Sequence, residues 1–208
     1  IRDDNDNLVI NPATGLTYRD PLEANIGNPF PKWMGGLRNT FTFKGLELTA
    51  LLDVREGQSV WCGTIARLHR LGRTEQSADR ERMYVIPGVL ATGTDDDGNP
   101  IAGTQENNVE VSAFDYYTRY IGDMSSAAKE QSIYDASWIR LREVGLSYKF
   151  NLRDKIPVIK TLDLGFTGRN LWLKTDYPGV DPETSLLGAG SNINGWDYFN
   201  MPGSRSYI

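Results

Sequence analysis

"SWIRLREVGLSYKF", residues 137–150, is the stretch on which the fold turns. Ile139 and Leu141 share one parity and Arg140 and Arg142 the other, the alternation of a strand with two chemically different faces. Then the phase flips. Val144, Leu146, Tyr148 and Phe150 carry an apolar row on the parity that had just carried the arginines, and Glu143, Gly145, Ser147 and Lys149 form the polar row. The run exceeds the ~5–6 residues usual for a soluble sheet and reaches the ten or so that a tilted membrane-crossing strand needs.

A similar change of phase occurs in "TLDLGFTGRNLWLKT", residues 161–175, where Leu162, Leu164 and Phe166 share one parity, Leu171 and Leu173 take the other, and the slip falls near Gly168. Neighbouring strands that both change parity fit local β-bulges, since an inserted residue moves every later side chain to the other face. They also fit strands that leave a two-faced zone for one where sidedness relaxes. Between the two runs, "NLRDKIPVIK" contains Pro157, which interrupts pairing. Upstream, "LRNTFTF" sets Leu37, Phe41 and Phe43 against Arg38, Thr40 and Thr42; Lys44 and Gly45 make a tight turn; and "LELTALLDVREG" sets Leu46, Leu48, Ala50, Leu52 and Val54 against Glu47, Thr49, Leu51, Asp53 and Arg55. Two antiparallel hairpins follow, 36–56 and 138–174.

Composition narrows the class without deciding it. The chain has 208 residues, 39% of them hydrophobic and 24% charged, with a formal net charge of −5. Those averages suit a soluble domain, and they suit a transmembrane β-barrel equally, because its lipid-facing and lumen-facing residues cancel in any window. No run approaches the ~18 apolar residues of a membrane-spanning helix. A single cysteine, Cys62, excludes an internal disulfide framework, and the mild acidity argues against a nucleic-acid partner. The opening "IRDDNDNLVINP", with neither an initiator Met nor a signal peptide, reads as a fragment or processed product.

The remaining stretches are rich in turn residues. Residues 1–33 hold "NPATG", "RDPLE" and "GNPFPKW", and 57–135 hold "RLGRTEQSADRER" and "GTDDDGNPIAGT"; both read as long loops. Within the second, Ser112 and Asp115 resemble a capping box, and Phe114, Tyr117 and Ile121 recur at helical spacing.

Catalytic constellations do not assemble. His69 is the only histidine and reads as a solvated loop residue; no cysteine–histidine set exists for zinc. Asp95, Asp97, Asn99 and Glu106 have the spacing of an acidic calcium loop, but Pro100 stands where that loop requires its sharp-turn glycine, so a plain turn is expected. Cys62 has no adjacent base and reads as a rim residue. Asp181 and Glu183, two apart on a loop, are poorly spaced for glycoside hydrolysis. The loop 175–204 has Tyr177, Trp196, Tyr198 and Phe199 among Asp176, Asp181, Asn192, Asn194 and Asp197, a mixture that stacks on sugar faces and bonds to hydroxyls, or that staples a long loop to its scaffold.

Three segments, in order along the chain, carry a family resemblance. "IGNPFPKWMGGLRNTFTFKGLELTALLDVREGQSVW" resembles a signature segment of the SusC/RagA family of TonB-dependent outer-membrane transporters; "SWIRLREVGLSYKF" resembles a late strand of that family; "GRNLW" followed by "YPGVDPE" resembles its Gly-x-Asn-Leu and Tyr-x-Gly-x-Asp-Pro-Glu segment. The resemblance implies an all-β fold, an antiparallel transmembrane β-barrel segment comprising the last strands of a large, plugged barrel of about 22 strands with long extracellular loops. The plug, the TonB-contacting segment and most of the barrel would lie upstream, and "RSYI", 205–208, would begin the final strand.

Sidedness follows from the periplasmic C-terminus of such barrels. The turns at Lys44–Gly45 and around Arg153–Lys160 become periplasmic, and 1–33, 57–135 and 175–204 become outer loops. Trp61, Trp138 and Trp172, near the outer strand ends, suit an interfacial girdle or, for some of them, packing under the loops. Leu46, Leu48, Leu52 and Val54 are expected to face lipid, and Glu47, Thr49, Asp53 and Arg55 the lumen. The implied function is import of oligosaccharides or peptides with a SusD/RagB-like surface lipoprotein, energised by the TonB complex, with no catalysis and no cofactor. Tyr177, Asp181, Trp196, Asp197 and Tyr198 are the candidate ligand-binding residues. The competing reading is a soluble all-β carbohydrate-binding module.

Overall fold

The structure, a computed structural model, describes residues 1–22, 24–124, 127, 129–153, 158–187 and 194–208. Its strands are β1 (Val9–Ile10), β2 (Trp33–Phe43), β3 (Leu46–Glu56), β4 (Ser59–Cys62), β5 (Met83–Val85), β6 (Val89–Thr94), β7 (Pro100–Glu106), β8 (Glu110–Ser112), β9 (Ile133–Asp135), β10 (Trp138–Asn151), β11 (Thr161–Thr175), β12 (Trp196–Asp197) and β13 (Ser206–Tyr207). The helix α1 spans Gly63–Arg70. The chain divides into a sheet unit, Gly27–Val60, Tyr134–Trp196 and Asn200–Ile208, and a mixed unit, Ile1–Ile26, Trp61–Ile133 and Asp197–Phe199. β4, β9 and β12 lie where the chain passes from one unit to the other.

The sheet unit is five antiparallel strands in the order β13-β11-β10-β3-β2. β2 and β3 form the expected hairpin, three residues longer at its start. Lys44 and Gly45 turn the chain with φ of 46° and 87°, the pair of positive values that lets a two-residue turn match the twist of its strands. Glycine is needed at position 45 for space as well, because a Cβ there would stand 2.9 Å from the Lys149 carbonyl oxygen.

The phase flip of residues 137–150 is a β-bulge. Leu46, Leu48 and Ala50 pair with Tyr148, Leu146 and Val144, while Leu52 and Val54 pair with Leu141 and Ile139. Leu141 stands opposite Leu52 and Glu143 opposite Leu51, so Arg142 is an extra residue relative to β3. Against β11 the insertion is on the other strand: Leu141 pairs with Trp172 and Glu143 with Arg169, and two residues, Asn170 and Leu171, oppose Arg142. Asn170 takes the left-handed conformation, φ 54°, which asparagine tolerates better than most residues.

The two insertions add, and this corrects one expectation. β11 gains two residues on β3, an even number, so Trp172 returns to the face of Leu162, Leu164 and Phe166. Leu173, opposite Arg140, therefore does not continue the apolar row on a flipped parity but turns to the polar face, while Leu171, inside the bulge, lies over Gly168, where a Cβ would be 2.8 Å from its Cδ2; both are half-buried. β13 pairs with β11 through Gly168–Tyr207 and Arg169–Ser206. Pro157, in the connection between β10 and β11, lies outside the described residues.

Residues 1–33 and 57–135 are less irregular than their turn-rich sequence predicts. In the mixed unit, β1 pairs with β6 in parallel, Val9 opposite Val89, β6 and β7 form a hairpin, and β5 pairs with β8. Ile10, Ile86, Val111 and Tyr120 make its core, with Leu8, Leu16, Tyr84, Leu90, Tyr116 and Ile121 packed around them. The Ser112 cap is present, its Oγ accepting from Asp115 N at 3.1 Å. The turn that follows is wide, a π-type turn over Tyr116–Tyr120. It buries Tyr117 and leaves Phe114, expected on the same face, exposed.

Candidate functional site: a two-faced sheet and its charge network

Bulge and register sort the sheet's side chains by chemistry. One face gathers Phe41, Phe43, Leu46, Leu48, Leu146, Tyr148, Leu162, Leu164, Phe166 and Trp172, paired row against row and all exposed. A contiguous apolar surface of this kind far exceeds what a water-facing sheet presents. An eleven-residue strand such as β3 is about 36 Å long at ~3.3 Å per residue. Tilted by roughly 40°, it rises about 28 Å, comparable with the ~25 Å apolar band of an outer-membrane barrel.

The other face is polar. Glu47, Thr49, Asp53 and Arg55 stand opposite Ser147, Gly145, Arg140 and Trp138. Thr49 is buried, with its Oγ1 3.4 Å from Thr40 Oγ1. Farther along this face, three arginines meet three carboxylates. Arg140 Nη2 donates to Asp181 Oδ1 at 2.6 Å, and its Nε lies 3.2 Å from Glu183 Oε2. Arg142 Nε donates to Asp53 Oδ2 at 3.0 Å, and its Nη2 reaches Glu183; Arg55 Nη2 stands 3.8 Å from the same carboxylate. All three guanidiniums lie over the buried Trp138 ring, 5.0 to 5.5 Å from its centroid.

The bulge has a chemical consequence here, since the extra residue, Arg142, joins Arg140 on the polar face at a point where strict alternation must also begin a new apolar row. Asp181 and Glu183 arrive from the "YPGVDPE" segment, where Asp181 Oδ1 also accepts from Glu183 N at 3.0 Å. Gly203 lies against the pair, and a Cβ on it would be 2.9 Å from Asp181 Oδ2. Three positive and three negative groups balance, so the cluster braces loop to strand and offers no free acid, base or nucleophile.

The five candidate ligand residues divide between the units. In the sheet unit, Tyr177 is buried with its ring 6.5 Å from Tyr134, Asp181 belongs to the charge network, and Trp196 is exposed. In the mixed unit, Asp197 is fully buried and accepts from Thr64 Oγ1 at 3.1 Å and Cys62 Sγ at 3.5 Å. Tyr198 stacks on Trp61 at 6.1 Å, and its hydroxyl accepts from Arg67 Nη2 at 2.7 Å. That hydrogen bond, followed by the charge of Asp123, raises the Arg67 pKa against desolvation. Asn192 lies outside the described residues.

Several side chains stand elsewhere than the sequence predicts. His69 is not solvated: it is buried on α1, Nδ1 2.9 Å from Thr74 Oγ1, and burial lowers its pKa. Cys62 is buried instead of lying at a rim. Trp138, placed in an interfacial girdle by the resemblance, is buried under arginines, whereas Trp172 is exposed on the apolar face. Asp95 closes the β6–β7 hairpin, accepting from Asn99 N at 2.7 Å and Asp97 N at 3.0 Å; the Asn99 hydrogen bonds, first among these, lower its pKa. Among the described residues, no group of three His, Cys, Asp or Glu side chains is placed to hold a metal ion.

No family model matches the chain. TonB-dependent receptor P3 of Formosa agariphila is 26% identical over 189 residues, 88% of this chain and 16% of the receptor. TonB-dependent receptor P39 of the same organism is 25% identical over 189 residues, with the same shares. The chain thus spans about one sixth of the length of the curated relatives it matches. Among solved structures, the RagAB peptide importer in its open-open state superposes with a TM-score of 0.53 at 19% identity, covering 85% of this chain and 16% of that one. A structure of the RagAB peptide transporter does so with a TM-score of 0.50 at 18% identity, over 86% and 16%. Over most of its length the chain is thus similar to TonB-dependent receptors, which are transporters and receptors of the outer membrane.

Proposed function

We propose that this chain forms part of the barrel wall and outer loops of a TonB-dependent importer that takes peptides or oligosaccharides across the outer membrane. The carrying observation is the two-faced sheet, with an exposed apolar row on one face and a charge-balanced polar row on the other. In this reading Leu46, Leu48, Leu52 and Val54 meet lipid, Glu47, Thr49, Asp53 and Arg55 line the interior, the Lys44–Gly45 turn is periplasmic, and 57–135 and 175–204 belong to the outer side. A SusD/RagB-like lipoprotein covers that side, and the TonB complex supplies energy through parts of the transporter outside this chain. Support for the substrate class comes from the likeness to RagAB, a peptide importer, and from the aromatic side chains left accessible in the loop 175–204, Trp196 exposed and Tyr198 half-buried.

The test is uptake of labelled oligopeptides and of labelled oligosaccharides by cells with and without the full-length gene. Loss of uptake of one substrate class on deletion, with recovery on complementation, is the expected result. Uptake of both classes unchanged by deletion would overturn the reading. Replacing Trp196 and Tyr198 together with alanine is expected to weaken uptake at normal expression.

A further inference from the structure

The mixed unit contains a pocket of about 250 Å³ whose wall and mouth differ in chemistry. Its polar wall is already engaged. His69 Nδ1 is 2.9 Å from Thr74 Oγ1, Thr118 Oγ1 donates to the Phe114 carbonyl at 2.6 Å, and the Tyr117 hydroxyl donates to the Gln76 carbonyl. Because burial lowers its pKa, His69 adds no positive charge near neutral pH.

The mouth is different. The exposed Arg80 has no hydrogen-bond or ion-pair partner among the described residues, and its Nη2 lies 3.7 Å from where a Cβ on Gly72 would stand. Arg70 reaches Asp123 only at 3.4 Å, a carboxylate that Arg67 already holds at 2.7 Å. Beside these cations, Leu71 and Phe114 are 57% and 68% exposed. The negative end of α1 does not oppose an anion here, because Leu71 N and Gly72 N already cap the carbonyls of Arg67 and His69 at 3.0 and 2.9 Å.

A guanidinium without a carboxylate, next to exposed aliphatic and aromatic surface, recognises an acid joined to an apolar group. We propose that this pocket seats the C-terminal carboxylate and last apolar side chain of a peptide, the carboxylate on Arg80 with Arg70 beside it and the side chain against Leu71 and Phe114. The proposal rests on the importer reading and assigns that importer a peptide substrate bound by its C-terminus. A uronic-acid oligosaccharide carries the same carboxylate without the apolar side chain, so Leu71 and Phe114 favour the peptide.

The experiment is isothermal titration of the purified full-length transporter with Ala-Gly-Ala-Gly-Leu as free acid, with the same peptide as C-terminal amide, and with trigalacturonate. The free acid is expected to bind about tenfold more tightly than the amide. Arg80→Gln is expected to erase that difference, and Phe114→Ala to weaken both peptide forms. Arg80 has no partner among the described residues, so the variant is expected to assemble normally, which electrophoretic heat-modifiability checks. Equal binding of acid and amide, an acid preference that survives Arg80→Gln, tighter binding of trigalacturonate, or binding of none of the three would each overturn the proposal. Uptake by the deletion strain separates the two readings. Gene-dependent peptide uptake with no acid preference removes the pocket assignment alone, while an Arg80-dependent acid preference without gene-dependent uptake removes the importer reading alone.

Discussion

In the sheet unit the apolar row along β2, β3, β10 and β11 is exposed, and in the mixed unit the cluster of Ile10, Ile86, Val111 and Tyr120 is packed inside. Phe41, Leu48, Leu146, Leu164 and Phe166 are between 39% and 65% exposed, whereas Ile10, Ile86 and Val111 are at most 4% exposed. The buried side chains of the sheet unit include Arg140, Asp181 and Thr49. One chain thus holds two burial schemes, one suited to an apolar surrounding and one to water, and averaged hydropathy sees neither.

The contrast is sharpest at the buried charges. Arg140→Ala leaves Asp181 without its closest cation in a site closed to water, and is expected to destabilise the sheet by about 3–5 kcal/mol. The double variant Arg140→Met with Asp181→Leu should recover most of that loss, as urea titration of the refolded full-length protein would record. A single variant as stable as the double would mean that the network braces nothing.

Cavity formation separates the units next. Ile86→Ala in the mixed unit is expected to lose about 2–5 kcal/mol, because neighbouring side chains cannot close the void. Leu164→Ala on the apolar face opens no cavity and should lose much less, since lipid or detergent fills the space. Local amide exchange measures both, and equal losses would erase the distinction between the two schemes.

Charge placed on the sheet gives a graded version of the same test. Leu48→Arg is expected to lose about 2–4 kcal/mol if the residue lies near mid-bilayer, and Glu47→Arg, on the exposed part of the polar face, close to none. Thr49 is a poorer control, because it is buried against Thr40. The smallest effect belongs to His69. Burial lowers its pKa in the fold, so below about 6.5 the unfolded chain binds the proton more readily than the native one. Stability of the mixed unit should therefore fall as pH drops below that value and be unaffected by this group above it. Amide-exchange protection of α1, corrected for intrinsic rates, should show the decline, and His69→Gln should remove it.

Both hairpins were legible because period-two alternation and the Lys44–Gly45 turn are local signals. The parity flip that the bulge at Arg142 produces was visible for the same reason, although a relaxation of sidedness fitted it equally well. The β11 irregularity was misread, because insertions that sum to two restore parity and leave Leu173 as a stray apolar residue on the polar face. In the mixed unit, contacts join Val9 to Val89 and Cys62 to Asp197 through strands too short to show a period. Nothing in a local window could indicate that His69 or Asp197 is buried. The "DPE" segment was recognisable by motif, yet its arginine partners, 41 residues away, are fixed by register alone.

The most direct test of the account is the accessibility of the two faces of β3 and β10. Nitroxide labels at Leu48, Leu146, Glu47 and Ser147 of the full-length transporter, reconstituted in lipid, would be exposed in turn to oxygen, which partitions into the bilayer, and to a water-soluble nickel chelate. The account predicts strong relaxation by oxygen and weak relaxation by nickel at Leu48 and Leu146, with oxygen relaxing Glu47 and Ser147 far less. Nickel access at Leu48 and Leu146 equal to that at Glu47 and Ser147 would contradict it, because the apolar face would then be in water.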